Sequence, residues 1–96
     1  MDIVVTYDVC TETKEGRRRL RRVAKVCEGV GQRVQLSVFE CTVNAVEYEL
    51  LKQRLRKELK ADEDSLRLYR LHAPRAAVVE VIGLDGYRDF RAALVV

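Results

Sequence analysis

The chain is poor in residues that interrupt regular structure, with one proline and five glycines in 96 residues. Most of it is therefore expected in helices and strands. No apolar run approaches the ~20 residues of a membrane-spanning helix, and the first residues lack the basic-then-apolar pattern of a secretory leader. A cytoplasmic protein with no membrane partner is the expectation. Cysteine is scarce as well. Cys10, Cys27 and Cys41 are odd in number and show no C-x-x-C spacing, which argues against a disulfide framework and a structural zinc site. Three reduced thiols fit that compartment. The single histidine, His72, and two serines without nucleophile context, Ser37 and Ser65, offer little for acid–base or acyl-transfer chemistry. Neither G-x-x-x-x-G-K-S/T nor G-x-G-x-x-G occurs, so no glycine loop cradles nucleotide phosphates.

What is present describes one small globular domain spanning residues 1–96. Hydrophobic residues are 48% and charged residues 34% of the chain, too apolar a mixture for a disordered tail. So short a chain has little core to spare, and burial against a second copy would add to it. The net charge is only +3, yet the 18 basic residues are mostly arginine, the residue suited to phosphate forks and buried ion pairs.

Hydrophobic period assigns the elements. The β-branched run at residues 2–8 reads as a buried central strand. From about Lys14 to Glu28, Leu20, Val23, Ala24 and Cys27 form one helical stripe, with Gly29 and Gly31 as the stop. Residues 32–43 are strand-like but change phase: Val34, Leu36 and Val38 share one parity, Phe39, Cys41 and Val43 the other. A tight turn, a bulge or a change of burial environment must lie between them. Asn44 and Glu47 have capping-box spacing and open a second helix reaching about Lys60, with Tyr48, Leu51, Leu55 and Leu59 inward. Residues 62–64 form an acidic loop, 66–71 a strand, 72–75 a connection and 77–82 another β-branched strand. Gly83 and Gly86 bracket a turn, and 92–96 form a short terminal strand. The order fits an α+β class: a ferredoxin-like βαββαβ sandwich with an extra C-terminal strand, two helices covering one sheet face. The uncovered face suggests a sheet-to-sheet homodimer.

Two features could carry chemistry. Lys14, Arg17, Arg18, Arg19, Arg21, Arg22 and Lys25 crowd the first helix, opposed only by Glu15. Arg18, Arg21, Arg22 and Lys25 lie opposite the apolar stripe, with Arg17 and Arg19 along its flanks. A solvated face is the ordinary explanation of such a run. However, acids and bases are not interleaved for i,i+4 pairing here, which favours a surface for phosphates. With few aromatics beside it, the surface would track backbone without reading sequence. The second feature is Asp8, at the end of the central strand. One carboxylate there either caps the next turn or binds something. Two copies facing each other across a two-fold axis could share a hard cation such as Mg²⁺, which takes one or two carboxylates and keeps its waters.

The stretches Val4-Val5-Thr6-Tyr7-Asp8-Val9 and Gly16-Arg17-Arg18-Arg19-Leu20-Arg21-Arg22-Val23-Ala24-Lys25 resemble the second CRISPR-associated protein family. Above all so does Gly31-Gln32-Arg33-Val34-Gln35-Leu36-Ser37-Val38-Phe39-Glu40-Cys41, and Asp64-Ser65-Leu66-Arg67-Leu68-Tyr69-Arg70-Leu71 is similar to a later strand of that family. The resemblance covers residues 2–71. It implies a ferredoxin-like homodimer, partner of the CRISPR integrase, whose C-terminal segment (residues 82–96 here) crosses to extend the partner's sheet. It also implies a metal-dependent endonuclease acting on RNA or duplex DNA. The family's metal-binding and catalytic aspartate corresponds to Asp8, with Mg²⁺ shared between both protomers. Its nucleic-acid-binding positions fall on Arg17, Arg18, Arg21 and Arg22, with Lys25 on the same helix, and on Arg33 in the strand block beside Phe39. Two other readings stand beside it: a non-enzymatic scaffold that holds DNA for the integrase, and a toxin-like ribonuclease of the same fold.

Overall fold

Residues 1–87 are described in the structure, a computed structural model of the chain. Strand β1 (Asp2–Asp8) leads into helix α1 (Lys14–Glu28); β2 (Gly31–Gln35) and β3 (Val38–Thr42) follow, then α2 (Ala45–Glu58) and β4 (Ser65–Arg70). The four strands form one antiparallel sheet in the order β2-β3-β1-β4. This is the ferredoxin-like arrangement. β1 is central, and its period of two sorts its side chains cleanly. Ile3, Val5 and Tyr7 are buried beneath the helices with Val23, Cys27, Phe39, Cys41, Leu51 and Leu55. Asp2, Val4, Thr6 and Asp8 point the other way.

Both helices start on side-chain caps. The Thr13 hydroxyl accepts the Gly16 amide at 3.0 Å. Gly16 itself cannot carry a side chain: a Cβ there would lie 1.8 Å from the Cys10 carbonyl oxygen, so α1 starts in direct backbone contact with the preceding loop. At α2, Asn44 and Glu47 form a reciprocal capping box, each side-chain oxygen accepting the other's amide at 2.8 and 2.9 Å.

The phase change in residues 32–43 has two causes acting together. Leu36 and Ser37 form a two-residue turn, splitting the stretch into the β2–β3 hairpin. Pairing steps from Arg33↔Phe39 to Gln35↔Val38, which leaves Val34 as a bulged residue. Parity groups Leu36 with Val34 and Val38, but at the turn it is 85% exposed.

The strand expected over residues 77–82 is not formed. Pro74 opens a single helical turn, α3 (Arg75–Val78), and residues 79–87 have no regular secondary structure. Alanines after a proline favour the turn, and Arg75 anchors it. Its amide donates to Asp2 Oδ2 at 2.8 Å, and its guanidinium bonds Glu40 and Asp85 and stacks on the Tyr87 ring at 3.8 Å. The segment is thereby drawn back across the outer sheet face. It encloses a cleft of about 330 Å³ against Val4, Val34, Val38 and Glu40. Gly86 lies so near the bulge that a Cβ would sit 2.8 Å from the Val34 carbonyl oxygen. The face opposite the helices, expected to be bare, is thus partly covered by the chain itself. Gly83 bends the chain, with φ of +91°, but no hydrogen-bonded turn runs from Gly83 to Gly86, and its neighbours Ile82 and Leu84 are 99% and 100% exposed. The terminal strand at 92–96, and the exchange segment beyond residue 87, lie outside the described residues.

Two outcomes follow from the core. Leu55→Ala should lower the stability read by urea denaturation by about 2–5 kcal/mol, since the site is fully enclosed. Burial pushes the Cys27 and Cys41 thiols up to about 12, whereas Cys10 is half-exposed. Iodoacetamide near neutral pH should therefore modify Cys10 alone in the folded protein, and all three cysteines in denaturant.

Candidate nucleic-acid interface and carboxylate site

Asp8 ends β1 on the outer face, opposite Ser65 of β4. It is exposed, and no hydrogen bond or ion pair reaches its carboxylate among the described residues. The capping role open to it in sequence falls to others: Asp64 accepts the Cys10 amide in the turn after β1, and Thr13 caps α1. On the same face, register places Thr6 beside Arg67 and Val4 beside Tyr69. The Arg67 guanidinium donates to the Tyr69 hydroxyl at 3.0 Å. Ser65, Arg67 and Tyr69 are therefore outer-face neighbours of Asp8 that sequence reading missed. Their i, i+2, i+4 alternation was visible, but their face was not.

Apart from Glu80, which lines the cleft on this face, the other carboxylates near the outer face are committed to the chain itself. Asp2 accepts from the Thr42 hydroxyl and the Arg75 amide, while Glu40 and Asp85 pair with Arg75. Among the described residues no group of three His, Cys, Asp or Glu side chains could hold a metal. Among the described residues, Asp8 is therefore offered by each protomer without a cluster of further ligands around it. That donor set fits a mostly hydrated divalent cation bridging two copies, and does not fit a closed site within one chain.

The basic helix lies across the sheet from Asp8. Arg17, Arg18, Arg21, Arg22 and Lys25 are all exposed on α1. Arg17 donates to the Thr11 carbonyl at 3.1 Å, and Arg22 approaches Glu58 of α2 at 3.8 Å. Arg18, Arg21 and Lys25 have no ion pair among the described residues. Arg33 stands on the helix-side face at the sheet edge, 5.3 Å over the Phe39 ring, near the buried Tyr7 hydroxyl. Burial pushes the Tyr7 phenol up, and the hydroxyl has no partner among the described residues. The sheet thus separates the sequence candidates: the arginines and Arg33 belong to one side, Asp8 to the other.

Arg19 departs from its expected place along the basic face. Its guanidinium forks onto Asp64, at 2.7 Å from Nε and 3.2 Å from Nη2, and only 16% of its side chain is exposed. Asp64 also accepts the Cys10 and Lys60 amides at 3.1 and 2.9 Å. The Arg19 fork is the chief cause that holds the Asp64 carboxyl below its ordinary 3.8, against the opposing effect of burial.

The strand order agrees with the comparison that decides the family. The family described as CRISPR associated protein Cas2 matches residues 1–77. The chain belongs to the Cas2 family. A Moorella thermoacetica protein named CRISPR-associated endoribonuclease Cas2 1 is 50% identical over 95 residues, covering 99% of each chain. A Halalkalibacterium halodurans protein named CRISPR-associated endonuclease Cas2 is 43% identical over 95 residues, again covering 99% of both. A crystal structure of Streptococcus pyogenes Cas2 superposes with a TM-score of 0.78 at 49% identity, over 86% of this chain and all of that one. Cas2 is a family of CRISPR-associated nucleases. No helix among the described residues of this Cas2 chain is long and apolar enough to cross a membrane.

The lowered Asp64 carboxyl gives this Cas2 chain a pH dependence of known sign. A carboxyl depressed in the folded state contributes stability that is complete above its unfolded value of about 4 and lost as pH falls through the folded one. The stability of wild type to urea should therefore fall on acidification below about pH 4. Asp64→Asn should start less stable at neutral pH and show a flatter acid limb.

Proposed function

We propose that two copies of this Cas2 chain act together on nucleic acid in CRISPR adaptation. The arginine helices hold duplex DNA by its backbone while the CRISPR integrase is bound, and the paired Asp8 carboxylates hold Mg²⁺ for phosphodiester hydrolysis. The observation that carries the reading is the Asp8 carboxylate itself: exposed, unengaged, and set on the sheet face that the helices leave uncovered. When bound, a divalent cation supplies an activated water and offsets charge at the attacked phosphate. The chain's own part is to present Asp8 at the end of β1, where it pairs with Ser65 of β4, and to hold the phosphate backbone with Arg17, Arg18, Arg21, Arg22, Lys25 and Arg33. Single-stranded RNA is a second substrate class, supported by the endoribonuclease relatives.

A second reading, a DNA-holding scaffold without chemistry of its own, is favoured by one specific observation. Asp8 belongs to no cluster of three or more His, Cys, Asp or Glu side chains in its own protomer among the described residues, and the arginines lie beyond the sheet. The same dimer would then serve the integrase by charge and shape alone.

Asp8→Asn separates the two. Under the nuclease reading it abolishes Mg²⁺-dependent cleavage of RNA or duplex DNA while leaving binding intact. A wild type that binds duplex DNA but cleaves nothing supports the scaffold. Charge reversal at Arg18 and Arg22 should weaken duplex binding and lower the log–log salt slope by about 0.9 for each phosphate no longer neutralised. Unaltered binding would return α1 to an ordinary solvated face. Light scattering that finds a monomer at working concentration would remove the shared cation site.

A further inference from the structure

Three separate pieces of chain converge on the Asp64 carboxylate, whose side chain has no exposed surface. Oδ1 accepts the Cys10 amide and Arg19 Nη2, while Oδ2 accepts Arg19 Nε and the Lys60 amide. Four acceptor sites is about all that a carboxylate offers. The loop leaving β1, the body of α1 and the chain leaving α2 thus share one anchor. Lys60 also pairs with Glu63 at 3.1 Å, and Glu63 reaches Arg19 at 3.4 Å, which closes the loop around that anchor.

The anchor lies next to Asp8 in two ways. Cys10 is two residues beyond Asp8, and Ser65, the residue after Asp64, is the register partner of Asp8 in β4. Cys10 is held at its amide by Asp64, and its carbonyl lies packed against Gly16 at the start of α1, where no side chain would fit. The exit of β1 therefore has little freedom, and Asp8 is its last paired residue. Stability alone explains such an arrangement poorly. A buried ion pair is worth little net when set against an apolar replacement, and Arg19 is thereby withdrawn from the basic surface around it. A forked guanidinium on a fully bonded carboxylate does fix direction, because both groups are planar and two-pronged.

We infer that Asp64 and Arg19 are positioning residues, which hold the Asp8 carboxylate in fixed relation to the arginine helix. The inference rests on the reading of Asp8 as a cation-holding group. Breaking the anchor leaves Asp8 in place chemically but loosens the backbone that aims it. Cation affinity and turnover then fall together, while the exposed arginines keep their grip on nucleic acid.

The experiment compares Arg19→Lys, which keeps the charge and loses the fork, with Asp64→Asn, in the full chain and well below each unfolding midpoint. Val23→Ala, a core truncation away from the anchor, is the stability control, and Asp8→Asn the control for the site. Mn²⁺ alone is titrated by water-proton relaxation, without nucleic acid. Exchange of the Cys10 amide is followed by NMR, and duplex affinity is measured against salt. Both anchor variants should bind Mn²⁺ about 10-fold or more weakly, as losses of groups that support a metal ligand do. They should exchange the Cys10 amide faster and keep the wild-type salt slope. Val23→Ala should change none of the three. If Asp64→Asn fails to fold, Arg19→Lys decides. Anchor variants that bind Mn²⁺ as tightly as wild type, while Asp8→Asn does not, would overturn the positioning role alone. Wild-type Mn²⁺ binding in Asp8→Asn would overturn the reading of Asp8, and this inference with it.

Discussion

β1 is hydrogen-bonded along both edges, to β3 and to β4, and everything functional in the protomer is arranged by its alternation. Two pairing partners leave the strand no freedom to twist a side chain to the other face. Burying Ile3, Val5 and Tyr7 under α1 and α2 commits every even-numbered residue to the outer side. Asp8 faces away from the arginines because Tyr7 faces towards them. The surroundings of that carboxylate are therefore set by what lies on the outer face, beginning with the chain's own residues 79–87.

Charge in this molecule is divided more sharply than a net +3 suggests. One group of ions is spent on architecture: Arg19 with Asp64, Arg75 with Glu40 and Asp85, and Asp2 with the Arg75 backbone. These are mostly half-buried, and all but Arg75–Asp85 join parts distant in the chain. The other group, on the exposed side of α1, has few protein partners among the described residues and remains available to a polyanion. Arg19 comes from the same arginine-rich stretch as that second group. Which role an arginine of the helix takes is decided by its angle on it.

That division explains how far the sequence could be read. β1, both helices and the capping box at Asn44 follow from local periods and local hydrogen bonds, which neighbouring residues suffice to specify. The break within residues 32–43 shows as a change of parity, but a turn and a bulge displace parity in the same way, so only pairing reveals that both occur. Arg19 looks like a flank of the basic face because its partner is 45 residues away. The β-branched run after Pro74 looks like a strand because nothing local reveals that Asp2, 73 residues earlier, captures the Arg75 amide. Asp8 stands out by its place at a strand end. That no protein group among the described residues engages it is a property of the packed structure.

The segment after β4 is held differently from the rest of the fold. The sheet and its two helices are joined by burial of Phe39, Ile3, Leu55 and Val23. Residues 75–87 are fastened chiefly by the Arg75 ion pairs and by cation–π stacking on Tyr87, with Ile82 and Leu84 left in solvent. Added salt weakens attraction between partly exposed charges and leaves apolar burial intact. The protein thus has two tiers of cohesion within one short chain. Ionic strength acts first on the outermost of these contacts, the Arg75–Asp85 pair, while the Arg75–Glu40 pair, 19% and 11% exposed, keeps the root of the segment on the sheet.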